Sequence, residues 1–504
     1  MDWTININTL FTISSFIIPY LLYKLFTINF NHWKDRNVPY IQPYPIFGNF
    51  WKVFTFRAQI GQYIAELYNQ FDTPYFGMFV FNKPHLVIRS PDIMKYVLVR
   101  DFYNFNDRTV LSDGRCDSMG SKFLFLVKNP EWKIVRTKIA PVFSSGKLRN
   151  MVGSMNKVAE DMRTYIRNHS NRDNLEAKEI FAKYATDVIG CCAFGVSANS
   201  FKYEDADFRK HGRLIFDTRL KTSMAQTFSF VAPTLTKIFK LSFFDPRFTG
   251  FVRKVFWEIY HDRKRNNITR NDLIDTIMQI EEMCKNGECN MEFEGDRVPA
   301  QAAHFFAAGF ETVSSTASFA LYEICLQPKI QNRVREEVKS ALAKHGRFSY
   351  EALKCLPYLD MVLLETLRKY PALPFLDRTC LENYNVPGTD LVIEKGTPVY
   401  IPVFGLHYDP KYFPHPEKFD PERFSEENKD SFPEFAFVPF GKGPRSCIGE
   451  RFGYVSTKLS LAQVLSEFEV ERNSETPEPL DYVTKGFLLA SKVGLPMKFT
   501  KIDS

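Results

Sequence analysis

Apolar residues recur at helical spacing over most of the chain, and apolar–polar alternation is confined to short stretches. The spacing predicts helices over 56–70 and 90–101, long helices across much of 131–340, and further helices near 349–370 and 449–468. One run, from about 298 to 326, is apolar over most of its length. Tyr75-Phe76-Gly77-Met78-Phe79-Val80-Phe81, then Asn82-Lys83, then Pro84-His85-Leu86-Val87-Ile88 reads as a β-hairpin. Short strand-like pieces lie near 385–402 and 485–500. Strand and helix do not alternate, which argues against a doubly wound parallel sheet. Repeats and low-complexity tracts are absent from the sequence. The expected fold class is mainly α with a small β subdomain.

Residues 7–30 are apolar with only Lys24 charged. A membrane span needs about 20 mostly apolar residues, and a lysine near one end can snorkel. A cleaved signal or a core helix would share this hydropathy. The segment ahead of it carries Asp2 and no basic residue, unlike the basic start of a signal. Lys24, Lys34 and Arg36 follow, so the positive-inside rule places the C-terminal bulk on the cytosolic side. Pro39, Pro43 and Pro45 then stiffen an extended connector. The expected organisation is a membrane anchor helix over 1–30, a proline-rich hinge over 31–50 and one catalytic unit over 51–504. Residues 227–248, rich in Phe and broken by Pro233 and Pro246, read either as a core helix with a loop or as a segment dipping into a membrane surface.

Composition narrows the partners. The 504 residues include 49 Phe, and aromatics reach 15%, which suits an apolar cavity as well as a Phe-rich core. Net charge is +7 without a dense Lys/Arg tract, so nucleic acid is not an expected partner. Nine scattered cysteines form no disulfide framework and suit a reducing compartment.

One of these cysteines stands apart. Phe440-Gly441-Lys442-Gly443-Pro444-Arg445-Ser446-Cys447-Ile448-Gly449 presents a single thiol among glycines, with no second Cys or His near enough to complete a zinc site. The glycines let the backbone approach a flat ligand. A lone thiolate offered to one large metal cofactor fits this spacing; a buried cysteine beside a glycine turn is the plainer alternative. Ala308-Gly309-Phe310-Glu311-Thr312 puts an acid and an alcohol in the middle of the apolar run. Burying either without a partner costs free energy, and a mid-helix Thr can bond back to the carbonyl four residues earlier. Glu365-Thr366-Leu367-Arg368 sets opposite charges one helical turn apart in apolar surroundings.

These strings, in this order, resemble the cytochromes P450, the haem-thiolate monooxygenases. Phe440, Gly443, Arg445, Cys447 and Gly449 fill the family's Phe-x-x-Gly-x-Arg-x-Cys-x-Gly pattern, and residues 308–312 match its Ala/Gly-Gly-x-Asp/Glu-Thr motif. Val313 departs from the usual hydroxyl that follows. The resemblance spans the chain and is nearest to animal microsomal members, particularly insect forms that metabolise xenobiotics. It implies the cytochrome P450 fold with an N-terminal membrane anchor, and a haem b group ligated by Cys447. It implies propionate contacts from Trp132, Arg136, Arg378 and Arg445, with Phe440 in the cysteine loop. Arg108 fits an ordinary surface arginine better. Thr312 would hydrogen-bond dioxygen and Glu311 would help supply protons, whereas Glu365, Arg368 and Arg423 would form a buried scaffold. Substrate walls would lie near Phe123, Phe125, Phe305, Phe306, Phe375, Leu376 and Phe487 to Leu489.

No Gly-x-Gly-x-x-Gly phosphate loop occurs, so NADPH electrons would come through a separate NADPH–cytochrome P450 reductase, with cytochrome b5 as a further candidate partner. Lys133, Lys138 and Lys442 are candidate docking contacts. The implied setting is the endoplasmic reticulum membrane with the catalytic unit in the cytosol. The implied reaction is insertion of one oxygen atom into lipophilic molecules, xenobiotics or endogenous lipids and hormones. A peroxide-rearranging enzyme on the same scaffold, and a membrane-tethered ligand carrier or haem sensor, are the alternatives. The Glu311-Thr312 pair argues against both.

Overall fold

The computed structural model describes residues 7–289 and 291–502. Its axis is the central helix Arg297–Leu326, 30 residues long. A helix apolar on nearly every side has to be buried on every side. It packs against Ala177–Ile189, Pro246–Asn266, Pro357–Lys369 and Glu450–Leu465. It ends at Gln327 because Pro328 disfavours helical geometry in the residue before it.

The hairpin forms as Tyr75–Val80 and Lys83–Ile88, with Phe81 at φ 54° making the turn. Pro398–Ile401 adds parallel to its second strand, and Leu376–Thr379 adds antiparallel beyond that. A separate sheet joins Leu175–Glu176, Pro496–Lys501 and Phe468–Arg472. Tyr384–Asn385 and Val392–Ile393 form a small pair.

Several boundaries differ from the sequence reading. The helix expected over 56–70 is two, Trp51–Phe54 and Ile60–Tyr68. Between them Phe56 sits at φ 54°, and the Gln59 side chain caps the second by accepting from the Gly61 and Gln62 amides. Over 90–101 the chain runs as Pro91–Lys95 and then widens to a π-turn, Tyr96–Arg100. Pro357 divides the 349–370 segment into Tyr350–Lys354 and Pro357–Lys369. The 449–468 helix stops at Leu465, and Phe468 opens a strand. Of residues 485–500, only those from Pro496 are strand.

Cys284 and Cys289 are disulfide-bonded, although cysteine spacing suggested no bridge. A five-residue turn with Gly287 at φ 80° brings their Cα atoms to 4.6 Å, within the range a disulfide spans.

Residues Ile7–Thr27 form a helix containing Pro19. Its sequence carries Asn8, Thr9, Thr12, Ser14, Ser15 and Lys24 among the apolar positions. Among the described residues no helix is long and apolar enough to cross a membrane. Residues 1–6 of the expected anchor lie outside the described residues. The 227–248 segment is mostly core: Phe230, Phe243, Phe244 and Phe248 are buried, while Ile238 and Phe239 at the tip are exposed.

Two buried histidines and a third on the cavity wall make stability pH-dependent. Burial pulls His85 and His407 down to about 3 and His304 to about 4. Each stays neutral in the folded chain, whereas the unfolded state takes up a proton below the ordinary value of 6.5. The unfolded state therefore binds more protons as pH falls from 6.5 toward 4, and stability declines across that window. His85 Nδ1 meets the Lys83 carbonyl at 3.1 Å while Nε2 has no partner among the described residues. We expect His85→Phe to reduce the loss of melting temperature between pH 7.5 and pH 5 (about 1.4 kcal/mol per proton and pH unit), read by thermal unfolding at both values.

Candidate active site

The central helix, the cysteine loop and the strand Leu376–Thr379 enclose one cavity of about 310 Å³. Cys447, Thr312, Trp132, Arg136, Arg378, Phe440 and Arg445 all line it. Residues scattered over more than 300 positions of sequence thus meet in one space.

The cysteine loop is held by its own backbone. Cys447 N donates to the Phe440 carbonyl at 2.8 Å and Gly441 N to the Val438 carbonyl at 3.0 Å. Gly443 has φ 75°, and a Cβ there would lie 2.0 Å from the Leu98 carbonyl oxygen. Only glycine fits between this loop and the π-turn beneath it. Cys447 is open to the cavity, and burial pushes its thiol up to about 11. Alone it would be a neutral thiol at pH 7; a metal ion is what would hold it as thiolate.

Behind the loop lies an ion pair without solvent exposure. Arg368 donates through Nε and Nη2 to Glu365 at 2.7 and 2.8 Å, and both side chains have 0% exposure. Arg368 also donates to the carbonyls of His407 and Pro416, each at 2.8 Å. Glu365 Oε1 accepts from Asp420 N at 2.9 Å and lies 3.5 Å from Arg423 Nε. His407 donates from Nδ1 to the Arg368 carbonyl at 3.1 Å and accepts from Val438 N at 3.2 Å through Nε2. One hydrogen-bonded chain therefore runs from Glu365 to Val438, two residues before Phe440. The sequence pointed to the three charged members but not to His407, which carries the link.

The other end of the cavity is cationic. Arg108, Arg136, Arg378 and Arg445 all border it, with Asp377 and Asp107 as the paired carboxylates. Arg108 is buried at 8% exposure and pairs with Asp377 at 3.2 Å, so it is no surface arginine. Asp377 also accepts the amides of Thr109 and Val110, which clamps residues 108–110. Alternation along the strand explains the geometry: Asp377 turns to that loop, while Leu376 and Arg378 turn to the cavity. Arg378 is fully enclosed, and burial, then the charge of Arg108, hold its guanidinium well below the ordinary value. Among the described residues, buried Arg378 Nε and Arg445 Nη1 have no partners. Arg445 otherwise donates to the carbonyls of Asn106 and Val127, and its guanidinium lies over Trp132 at 4.2 Å from the ring centroid. Burial pulls Arg445 down to about 9. Buried donors without partners are expensive, and two of the four cations have no carboxylate. A dianionic ligand edge would satisfy both deficits. With the thiol of Cys447 open to the same cavity, these residues fit a haem and its two propionates.

On the central helix, Ala308, Gly309 and Thr312 face the cavity. Thr312 Oγ1 donates to the Ala308 carbonyl at 2.6 Å. Glu311 is not among the cavity walls: its carboxylate meets Lys178 Nζ at 2.8 Å, and that ammonium also reaches Ser314 and Ser315. The missing side chain of Gly309 admits a neighbouring helix as well as a ligand, since a Cβ there would press on Ile189 at 3.1 Å. Phe123, Phe125, Phe305, Leu376, Phe487 and Leu488 form apolar wall. Phe306 packs instead on Phe208 and Phe248, and Phe375 on Phe230 and Tyr400. His304 and Gln301 also line the cavity and were missed by sequence. Their signal was available, because both fall on the Ala308–Thr312 face of the helix.

Removing Glu365 would leave Arg368 as an unpaired buried charge, a loss of about 3–5 kcal/mol. Glu365→Ala is expected to lower the melting temperature and the haem-to-protein absorbance ratio of the purified protein together. Retention of both at wild-type levels would show that the clamp does not support the loop.

Known proteins agree with this geometry. Residues 38–495 match the family model described as Cytochrome P450. The chain is 41% identical to "Cytochrome P450 6k1" of Blattella germanica, over 98% of this chain and 97% of that protein. It is 40% identical to "Cytochrome P450 6j1" of the same cockroach, over 97% of each. It is 37% identical to "Probable cytochrome P450 6g2" of Drosophila melanogaster, over 94% and 95%. With a thiol, a cationic rim and an alcohol-bearing helix around one cavity, the chain belongs to the cytochrome P450 family of haem-dependent monooxygenases, among its insect members.

Proposed function

We propose that this enzyme inserts one oxygen atom from dioxygen into lipophilic small molecules, including xenobiotics such as plant toxins and insecticides. The observation that carries the reading is the placement of Cys447 and Thr312 on one apolar cavity whose rim holds unpartnered guanidinium donors. Haem, when bound, supplies dioxygen activation and the oxygen transfer itself. Cys447 is its ligand. Trp132, Arg136, Arg378 and Arg445, with Arg108 added, hold its propionates, and Phe440 anchors the cysteine loop. The aromatic walls exclude water and orient the substrate by shape.

Thr312 and Glu311 share the proton work. The Thr312 hydroxyl swings from the Ala308 carbonyl toward the cavity and donates there. Glu311 recharges it from the Lys178 side of the helix, where its carboxylate is already in contact with a cation and the Ser315 hydroxyl.

Electrons come from NADPH through NADPH–cytochrome P450 reductase, with cytochrome b5 as a second donor. Lys133 is exposed for such docking, whereas Lys442 is paired with Glu434. The protein works at the endoplasmic reticulum membrane from its cytosolic side. Residues 1–30 are its anchor, 31–50 a stiff hinge and 51–504 the haem-binding catalytic domain. Support for the membrane setting is the row of exposed apolar side chains from Phe16 to Leu25 and the exposed tip Ile238-Phe239.

Two measurements test this reading. Cys447→Ser is expected to abolish the carbon-monoxide difference band of the thiolate-ligated reduced haem; an unchanged band would refute the ligand assignment. With purified reductase, Thr312→Ala is expected to release several-fold more peroxide per NADPH consumed than the wild type. Equal coupling in the two proteins would remove Thr312 from the proton path.

A further inference from the structure

The cavity is apolar apart from the cationic rim, the Thr312 face of the central helix, and one stretch of that helix nearer its N-terminus. There His304 stands four residues before Ala308 and eight before Thr312, on the same helical face. At 1.5 Å per residue it lies about 12 Å along the axis from Thr312. Its ring rests against Phe123, 5.3 Å between centroids. Among the described residues neither ring nitrogen has a hydrogen-bond partner. Burial, then the charge of Arg108, pull the imidazole down to about 4, so it is neutral at physiological pH.

The same wall leaves further polar capacity unused. Gln301, one turn earlier, donates its amide to the Lys122 carbonyl at 3.0 Å, while its buried Oε1 has no partner among the described residues. Two carbonyls, of Lys122 and Arg297, face the NH₂ group and fix the amide this way round. Arg108 is occupied by Asp377 and stacked over Phe125, 4.3 Å from the ring centroid.

We infer that His304 is a specificity-determining residue that hydrogen-bonds a neutral hydroxyl at one end of an elongated lipophilic substrate, so that the carbon oxidised beside Thr312 is chosen by its distance from that hydroxyl. A neutral imidazole donates through one nitrogen and accepts through the other. An alcohol or phenol does both, and an alkyl or halide group offers neither at useful strength. A carboxylate would bring a charge into an apolar end that already holds the unpartnered oxygen of Gln301. A cation would meet the field of Arg108. The inference rests on the monooxygenase reading and adds the class of substrate.

The test titrates the haem-loaded enzyme with 1-decanol, 1-chlorodecane and decanoate, reading the ligand-induced change in haem absorbance, and then maps the oxidised carbon. The wild type is expected to bind the alcohol roughly five- to tenfold more tightly than the chloride, the span one net hydrogen bond covers, and to oxidise it toward the far end of the chain. His304→Phe is expected to bring that ratio near one and to scatter the oxidation sites; His304→Asn should keep part of the preference. Equal wild-type affinities for alcohol and chloride, or an undiminished ratio in His304→Phe, would overturn the inference. So would tightest binding by decanoate, which would move the ligand to anions held by Arg108. If His304→Phe does not retain haem, the wild-type ratio and His304→Asn decide. An intact binding preference without NADPH-dependent oxidation of any ligand would instead sink the monooxygenase reading and leave the His304 contact standing.

Discussion

Arg368 is a formal charge held with no exposure to water, and much of the site depends on how that charge is satisfied. Desolvating a guanidinium and a carboxylate costs several kcal/mol per ion, and only dense hydrogen bonding offsets it. Glu365, two main-chain carbonyls and the helix between them supply that bonding. The consequence is directional. Because the carbonyls belong to His407 and Pro416, the ion pair grips a long irregular stretch that has little secondary structure of its own. His407 passes the grip to Val438, and the Phe440–Cys447 turn hangs from there. A sulfur can be presented to one metal atom only if its loop cannot drift, and this network supplies the rigidity.

At the cavity rim the electrostatics run the other way. Arg378 and Arg445 keep buried donors without partners, and burial depresses both guanidiniums. A protein that stays folded around such groups carries a stored deficit which an anionic ligand relieves. Haem propionates held here would supply what the polypeptide lacks, and their binding would then stabilise the fold. Asp377 illustrates how finely the balance is set: it neutralises Arg108 and simultaneously caps two amides, leaving Arg378 beside it without a carboxylate among the described residues.

The central helix separates two environments within one turn. Thr312 looks into the cavity, and Glu311 looks away from it toward Lys178. A proton passing between these neighbouring positions would need side-chain motion, because among the described residues no hydrogen bond joins the two side chains. The same helix carries His304 to the cavity wall, so its polar cavity-facing groups share one rigid element. Gly309, pressed by Ile189, fixes that element against its neighbour.

The sequence by itself determined the helix-rich class, the hairpin, the long apolar helix, the cysteine loop and many of the residues that line the cavity with it, though not His304 or Gln301. Each is encoded locally, by period, by turn glycines or by a dense motif. What only the tertiary structure decided is of another kind. Burial of Arg108, the His407 bridge, the turning of Glu311 to Lys178 and the solitary ring of His304 depend on which segments lie beside them. The Cys284–Cys289 bridge and the breaks around Phe56 and Pro357 are local by contrast: turn geometry there overrode helical spacing. Local pattern reports what a residue can do; desolvation and the partners within hydrogen-bond reach decide what it does, and those come from residues distant in the chain.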